Sequence, residues 1–306
     1  MSLKKLCYCL SLLLVMVFSC QNGTVHSQLE VGFYRNSCRF AEFIVRDEVR
    51  KAYRKDQGVV ADLLRMHFHD CFVRGCDGSV LIDSTPTNKA EKDSPPNNPS
   101  LKGFDVLDNA KARLEAVCRG VVSCADIVAF AARYSVQIVF IISMDMYTGG
   151  LAYDVPAGRK DGRISLASEA LTNIPSPTFN LNQLTQSFAS KGLTQEEMVT
   201  LSGTHSIGRA HCSAFSNRLY NFNGASGQDR SLYPIYAAQL KQQCPQGSKT
   251  DSGVAVPMNP ESVGYLDLSY YLDVLDSRGL FTSDQSLLTS SKTAYQLNQY
   301  ASNSFL

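Results

Sequence analysis

The chain lacks an excess of charge of either sign. Lysine plus arginine number 29 and aspartate plus glutamate 28, a formal net charge of +1. With no dense basic run, there is no electrostatic footprint for nucleic acid. Long apolar/polar alternations are few, which argues against a sheet-based fold. No internal repeat is visible, so stacked-repeat architectures are excluded. No apolar run is long enough for a confident transmembrane span. Glycosylation signals are also scarce. Asn22-Gly23-Thr24 lies near the N-terminus, and Asn98 is followed by Pro99, which blocks the motif.

The first residues do carry information. Lys4 and Lys5 precede an apolar run from Leu10 to Phe18, followed by small and polar residues ending at Val25-His26-Ser27. That order describes a secretory signal peptide, residues 1–27, cleaved before Gln28. Export makes the cysteines readable as disulfides. Of ten cysteines, Cys7, Cys9 and Cys20 leave with the leader. Cys38, Cys71, Cys76, Cys118, Cys124, Cys212 and Cys244 remain. That set is odd, so at least one lacks an intrachain partner.

Helical periodicity dominates the rest. Helices are predicted over Phe40–Tyr53, Val59–Cys71, Phe104–Val117, Cys124–Val136 and Leu181–Lys191. Cys124–Val136 is apolar nearly all round and reads as a buried core helix. Gly192 supplies a C-cap, and Thr194 with Glu197 forms a capping box opening a further helix. Ser94-Pro95-Pro96-Asn97-Asn98-Pro99 is a stiff loop between helices. The expected fold class is mainly α, a single domain with long ordered loops and few short strands.

Chemistry concentrates in R-M-H-F-H-D-C-F-V-R-G-C-D-G-S, Arg65 to Ser79. Such a density of titratable groups is costly to bury unless each has a partner. Arg65 and His69 are four apart and share one helix face. The fixed cation disfavours protonation of the imidazole and leaves it a base. A base beside an anion-stabilising guanidinium suits proton removal from a small acid. The plainer alternative is a solvated helix face. Asp70, Asp77 and Ser79 offer hard oxygens on a loop that Gly75 and Gly78 allow to turn, which suits Ca²⁺ without the spacing of an EF-hand. A Zn²⁺ site from His67, His69, Asp70 and Cys71 is the competing arrangement, and a secreted hydrolase using His67 and His69 the competing function. His205 lies among small residues, Leu201 to Gly208. Alone it reads as readily as a structural histidine.

Six segments together resemble the secreted plant haem peroxidases, the class III family. They are the Arg65–Ser79 run, E-K-D (Glu91 to Asp93), V-S-C-A-D-I (Val122 to Ile127), V-P-A-G-R-K-D-G (Val155 to Gly162), L-S-G-T-H-S-I-G (Leu201 to Gly208) and G-L-F-T-S-D-Q (Gly279 to Gln285). The resemblance extends from Gln28 to Ser291. It implies a haem peroxidase fold, two helical halves sandwiching one haem b. It implies H₂O₂-dependent one-electron oxidation of phenolic donors through a ferryl state, by a monomer secreted to the cell wall or the vacuole. By the same resemblance His205 is the haem axial ligand and Asp284 its carboxylate partner. His69 is the distal base, Arg65 its partner, and Asn97 the amide on its other nitrogen. Phe68 walls the distal pocket and Pro156 contacts donors.

Two Ca²⁺ sites are implied. The distal one uses Asp70, Asp77 and Ser79 side chains and the carbonyls of Val73 and Gly75, with Glu91 acting through water. The proximal one uses Ser206, Asn259, Ser262 and Asp267. Asn259 stands where the family usually has aspartate, which weakens that site. The implied disulfides are Cys38–Cys118, Cys71–Cys76 and Cys212–Cys244. The first closes a long loop, worth roughly 4 kcal/mol on the chain-entropy model.

Departures from the family are equally legible. The family pairs the cysteine of V-S-C-A-D with one near its C-terminus. This chain stops at Leu306, read as lacking the final helix and tail, so Cys124 is expected to be unpaired, at a cost of about 2–5 kcal/mol. Residues 138–147 read as an apolar insert in a connection that is short in the family, exposed and prone to aggregation. Both departures suggest an altered transcript, which sequencing the mRNA tests. Tyr134 replaces a frequent acidic residue. Tyr153 stands where many relatives carry their only tryptophan, consistent with a Trp count of zero. The alternative these features raise is an inactive or misfolding-prone isoform that binds Ca²⁺ or haem without turnover.

Overall fold

Helices carry the architecture of the computed structural model, which describes residues 29–143, 153–224, 227–247, 253–260 and 266–302. The expected signal peptide, residues 144–147 of the insert, and Ser262 lie outside the described residues. Helix α1, Ala41–Lys55, buries Ile44, Val45 and Val49 along one stripe. Arg54 and Lys55 complement the dipole at its C-terminal turn. Helix α2, Val59–Cys71, buries Val60, Leu63 and Met66 and also the polar His69 and Asp70. Helix α3 is Phe104–Val117, and α4 is Cys124–Ser143.

The most extensive helix pairing is α2 on α4. That explains why α4 is apolar on every side. It also runs past the expected stop at Val136. Ile138 and Val139 continue the helical spacing, and Val139 is buried against the α1–α4 core. The opening of the insert is therefore packed rather than exposed, a correction to the sequence reading. Helical periodicity, once started, propagates at low cost where the next apolar residues find a surface.

The second half contains α5 (Ala167–Asn173), α6 (Leu181–Ala189), α7 (Gln195–Ser202), α8 (Ser216–Tyr220), α9 (Pro234–Gln243), α10 (Ser269–Leu275), α11 (Thr282–Ser286) and α12 (Ser291–Ser302). Strands β1 (Arg209–His211) and β2 (Ala255–Pro257) pair antiparallel, with Ala210 opposite Val256. The capping box of α7 is fully formed. Thr194 Oγ1 accepts from Glu197 N at 3.2 Å, and Glu197 Oε2 accepts from Thr194 N at 2.7 Å. One core joins α6, α7, α10 and α12, centred on Met198, Val274, Leu287 and Leu297. Another lies around Phe215, Leu219 and Leu240, beside the strand pair. Disulfides link Cys38 to Cys118, Cys71 to Cys76 and Cys212 to Cys244, while Cys124 is a half-buried free thiol.

Candidate active site

Helix α2 places Arg65 and His69 one turn apart. His69 is buried, and its Nδ1 lies 2.5 Å from Asn97 Oδ1. Asn97 in turn donates Nδ2 to the Glu91 carbonyl at 2.7 Å. Burial, and then the Arg65 cation, lower the His69 pKa to about 3, opposed by the Asn97 contact. The imidazole is thus a neutral base at ordinary pH. Arg65 Nη2 donates to the Pro96 carbonyl at 2.8 Å and to Ser100 Oγ at 3.0 Å. The stiff Pro-Asn loop therefore holds both side chains. Phe68 stacks on Phe72 at 4.2 Å between ring centroids and meets the His69 ring edge-on at 5.7 Å.

His67 points elsewhere, because residues two apart do not share a helix face. Its Nε2 lies 3.5 Å from Cys71 Sγ, and that sulfur is bound to Cys76. Burial lowers the His67 pKa to about 4.

The loop after α2 folds back on its own carboxylates. Asp70, fully buried, accepts from Gly78 N at 2.9 Å. Asp77 Oδ1 accepts from Ser79 N at 3.1 Å. Gly75 and Gly78 have φ of 98° and 72°, as this turn requires. Gly162 is the other enabling glycine: a Cβ there would lie 2.2 Å from Asp77 Oδ2. Ser79 Oγ and both Glu91 carboxylate oxygens are buried with no hydrogen-bond partner. Burial pushes Asp70 and Glu91 up to about 7 each. The Val73 carbonyl accepts from Lys191 Nζ at 3.1 Å, and the Gly75 carbonyl accepts from Asp77 N at 2.8 Å.

On the other side, α7 runs into a 3₁₀ turn, Gly203–Ser206, that presents His205. His205 Nδ1 is 2.8 Å from Asp284 Oδ1. Asp284 is buried and accepts twice more, from Tyr270 Oη at 3.1 Å and from Phe281 N at 2.9 Å. A carboxylate with these donors is held in one orientation. Next door, Ser206 Oγ accepts from Asp267 N at 3.3 Å, and Ser269 joins Asp267 to the Asn259 amide. Ser206, Asn259 and Asp267 are thereby brought together. Pro156 is exposed, and its carbonyl accepts from Arg159 Nη1 at 2.7 Å.

Three supports escaped the sequence reading. Asp126, fully buried in α4, accepts from Tyr34 Oη at 2.7 Å, Gly158 N at 2.7 Å and Arg159 Nη1 at 2.9 Å. It ties V-S-C-A-D-I to A-G-R-K-D-G. Arg218, also fully buried, pairs with Asp229 at 2.8 Å and donates to the carbonyls of Gly279, Leu280 and Phe281. It thus anchors the segment that leads to Asp284. The third is Tyr270. For Asp126 the available signal was a lone charge in an apolar run, which implies a buried partner without naming it; Arg218, between Asn217 and Leu219, and Tyr270 carry no such signal.

The comparisons agree with this geometry. A family model described as Peroxidase matches residues 45–303. Peroxidase 5 of Vitis vinifera is 69% identical over 297 residues, covering 97% of this chain and 87% of that protein. Peroxidase 3 of Arabidopsis thaliana is 50% identical over 283 residues, covering 92% of this chain and 83% of that protein. Peroxidase 1 of Zea mays is 45% identical over 288 residues, covering 93% and 76%. With its mainly helical fold and paired histidine sites, the chain belongs to the peroxidase family and is a plant class III haem peroxidase, an enzyme of H₂O₂-dependent oxidation.

Proposed function

We propose that peroxide is handled by Arg65, His69 and Asn97 and that haem is held by His205 backed by Asp284, with small phenols as electron donors. One observation carries this reading. Two imidazoles from separate halves of the fold each have Nδ1 against an acceptor oxygen of a buried side chain, at 2.5 and 2.8 Å, which favours the Nδ1–H tautomer and leaves Nε2 for chemistry.

The residues fit a haem. An imidazole with a carboxylate on its far nitrogen would be a strongly donating ligand to the iron, and His205 is so placed. When bound, the iron porphyrin supplies the redox centre that accepts oxidising equivalents from peroxide and returns them to donors. His69 Nε2 takes the proton from the bound peroxide and delivers it to the departing oxygen. The Arg65 guanidinium stabilises the negative charge that develops there. Asn97 orients the imidazole, and Phe68 excludes water from its flank. Phenols approach at the exposed Pro156.

The loop after α2 fits Ca²⁺. Three buried oxygens without partners, on Ser79 and Glu91, together with Asp70 and Asp77 form a hard, anionic donor set. We assign the distal ion to Asp70, Asp77, Ser79 and the carbonyls of Val73 and Gly75, with Glu91 contributing through water. A second ion is assigned to Ser206, Asn259, Ser262 and Asp267, weaker because Asn259 brings no charge. Residues 1–27 are assigned as a signal peptide directing the enzyme out of the cell, as is typical of its relatives, and the enzyme works as a monomer.

The intact Arg65, His69, Asn97, His205 and Asp284 favour turnover over an inactive isoform. The test uses residues 28–306 reconstituted with haem. The Soret band is expected to shift on adding H₂O₂, a simple phenol is expected to be oxidised, and His69→Ala to abolish both. Haem-loaded protein that does neither would sink the reading.

A further inference from the structure

Behind His205 a line of aromatic rings leads outward. The His205 ring is 5.9 Å from Tyr270, Tyr270 is 5.3 Å from Tyr271, and Tyr271 is 5.0 Å from Tyr300, centroid to centroid. Tyr270 and Tyr271 are 4% and 5% exposed, whereas Tyr300 is half-buried at the rim, on α12. The series has no aliphatic gap between the imidazole and the surface. Gly203, in the turn that carries His205, enforces the closeness. A Cβ there would lie 2.3 Å from the Tyr271 hydroxyl.

Tyrosine can give up one electron if its phenolic proton has somewhere to go. Each member of this series has a hydroxyl partner. Tyr270 donates to Asp284 Oδ1 at 3.1 Å, and Tyr271 donates to the Thr200 carbonyl at 3.1 Å. The Tyr300 hydroxyl bonds Thr200 Oγ1 at 2.8 Å and accepts from Gln296 Nε2 at 2.9 Å. Among the described residues the other ring against His205 is Phe281, which has no hydroxyl to lose. The chain has no tryptophan, so no indole competes for an oxidising equivalent.

We propose that Tyr300 is a second site of donor oxidation, connected to the proximal side through Tyr271 and Tyr270, for phenolic groups carried on polymers too large to enter the interior. The inference rests on the peroxidase reading above. Reduction of H₂O₂ to two waters consumes two electrons and two protons. One electron passes from Tyr300 through Tyr271 and Tyr270 to the His205 side, and the Tyr300 proton leaves to water at the rim. The neutral tyrosyl radical then takes one electron and one proton from a phenolic O–H of the polymer. That restores Tyr300 and leaves a phenoxyl radical on the polymer, and two rounds balance one peroxide. The neighbours of Tyr300 suit a neutral polymer. Thr200 and Gln296 are uncharged, and Leu201, next to Thr200, is 42% exposed.

The test uses haem-loaded protein with H₂O₂ and a nitroso spin trap, followed by peptide mass mapping. A trap adduct is expected on Tyr300, absent in Tyr300→Phe and lost from Tyr300 in Tyr271→Phe. In parallel, oxidation of a phenol coupled to dextran is expected to be lost in both variants. Oxidation of the same phenol free in solution is expected to keep its kcat/KM in Tyr300→Phe, because it does not pass through the rim. Two results overturn the inference while leaving the peroxidase reading intact. One is a wild-type protein that oxidises free phenol but bears no adduct on Tyr300. The other is a Tyr300→Phe variant that oxidises dextran-bound phenol as fast as wild type. Wild-type protein that oxidises neither donor overturns the peroxidase reading, and this inference with it.

Discussion

Asn97 holds His69 with one end of its amide and Glu91 with the other: Oδ1 is 2.5 Å from His69 Nδ1, and Nδ2 donates to the Glu91 carbonyl at 2.7 Å. Glu91 belongs to the acidic cluster with Asp70, and Asp70 follows His69 in α2. The base is therefore tied to the acidic loop along one covalent route and one hydrogen-bonded route.

The first consequence concerns pH. The His69 pKa is lowered to about 3 from 6.5, by burial first and the Arg65 charge second. A base must be unprotonated, so the peroxide step should persist well below neutral pH and fail only as pH drops toward that value. Replacing Arg65 by leucine removes a lowering influence and raises the His69 pKa. The acid limb of kcat/KM for peroxide should then move to higher pH, on top of a rate loss of about 10²-fold or more from missing charge stabilisation. Stopped-flow rates across pH check this. An acid limb that stays in place in Arg65→Leu would rule out the charge coupling.

Calcium removal is the second. Stripping the loop with a chelator leaves the Asp70 and Glu91 carboxylates to repel one another and should loosen the Glu91–Asn97 link. Peroxide reactivity and thermal stability are expected to fall together, with haem still bound through His205. Adding Ca²⁺ should restore both, and Mg²⁺ should not, since it dehydrates reluctantly and demands a smaller octahedral cage. Equal recovery with either ion, measured by melting temperature and peroxide rate, would count against a Ca²⁺-selective loop.

Much of this was readable from the chain. Val59–Cys71 and Phe104–Val117 match their predicted bounds because apolar spacing alone dictates those helices. Arg65 and His69 could be paired by their four-residue separation. The His205–Asp284 contact could not, since the two are 79 residues apart and local pattern carries no such distance. It came from resemblance. The end of α4 was misplaced because nothing in Gln137–Val139 marks a stop and the core surface that receives Val139 is made by other helices. Asp126 and Arg218 escaped the sequence reading as partners of Arg159 and Asp229, for the same reason of separation.

The third consequence lies at the proximal side. On the proposed reading, the Asp284 carboxylate on His205 Nδ1 would make the imidazole more electron-donating and favour oxidised iron. Asp284→Asn keeps the shape and removes the charge. The reduction potential of the haem-loaded protein should rise, and the rate with peroxide should fall, while haem remains bound. Spectroelectrochemical titration measures this directly, and an unchanged or lowered potential would contradict the assignment.

The last prediction separates support from chemistry. Arg218 is fully buried, pairs with Asp229 and donates to three carbonyls in the segment leading to Asp284. Arg218→Ala leaves the Asp229 carboxylate buried without its cation and frees those carbonyls, a cost of about 3–5 kcal/mol. For a domain of this size that corresponds to a melting temperature lower by roughly 2–4 °C per kcal/mol. Removing both charges with apolar residues of similar volume, Arg218→Met with Asp229→Leu, should recover much of the loss, because the pair's attraction mainly offsets its own desolvation. The carbonyls of Gly279, Leu280 and Phe281 would still lack their donor, so recovery should stop short of wild type and the haem potential should shift in the direction of Asp284→Asn. Thermal melts of the single and double variants decide the matter. A double variant no more stable than Arg218→Ala would mean that the lost carbonyl contacts, rather than the unpaired Asp229 charge, carry the cost.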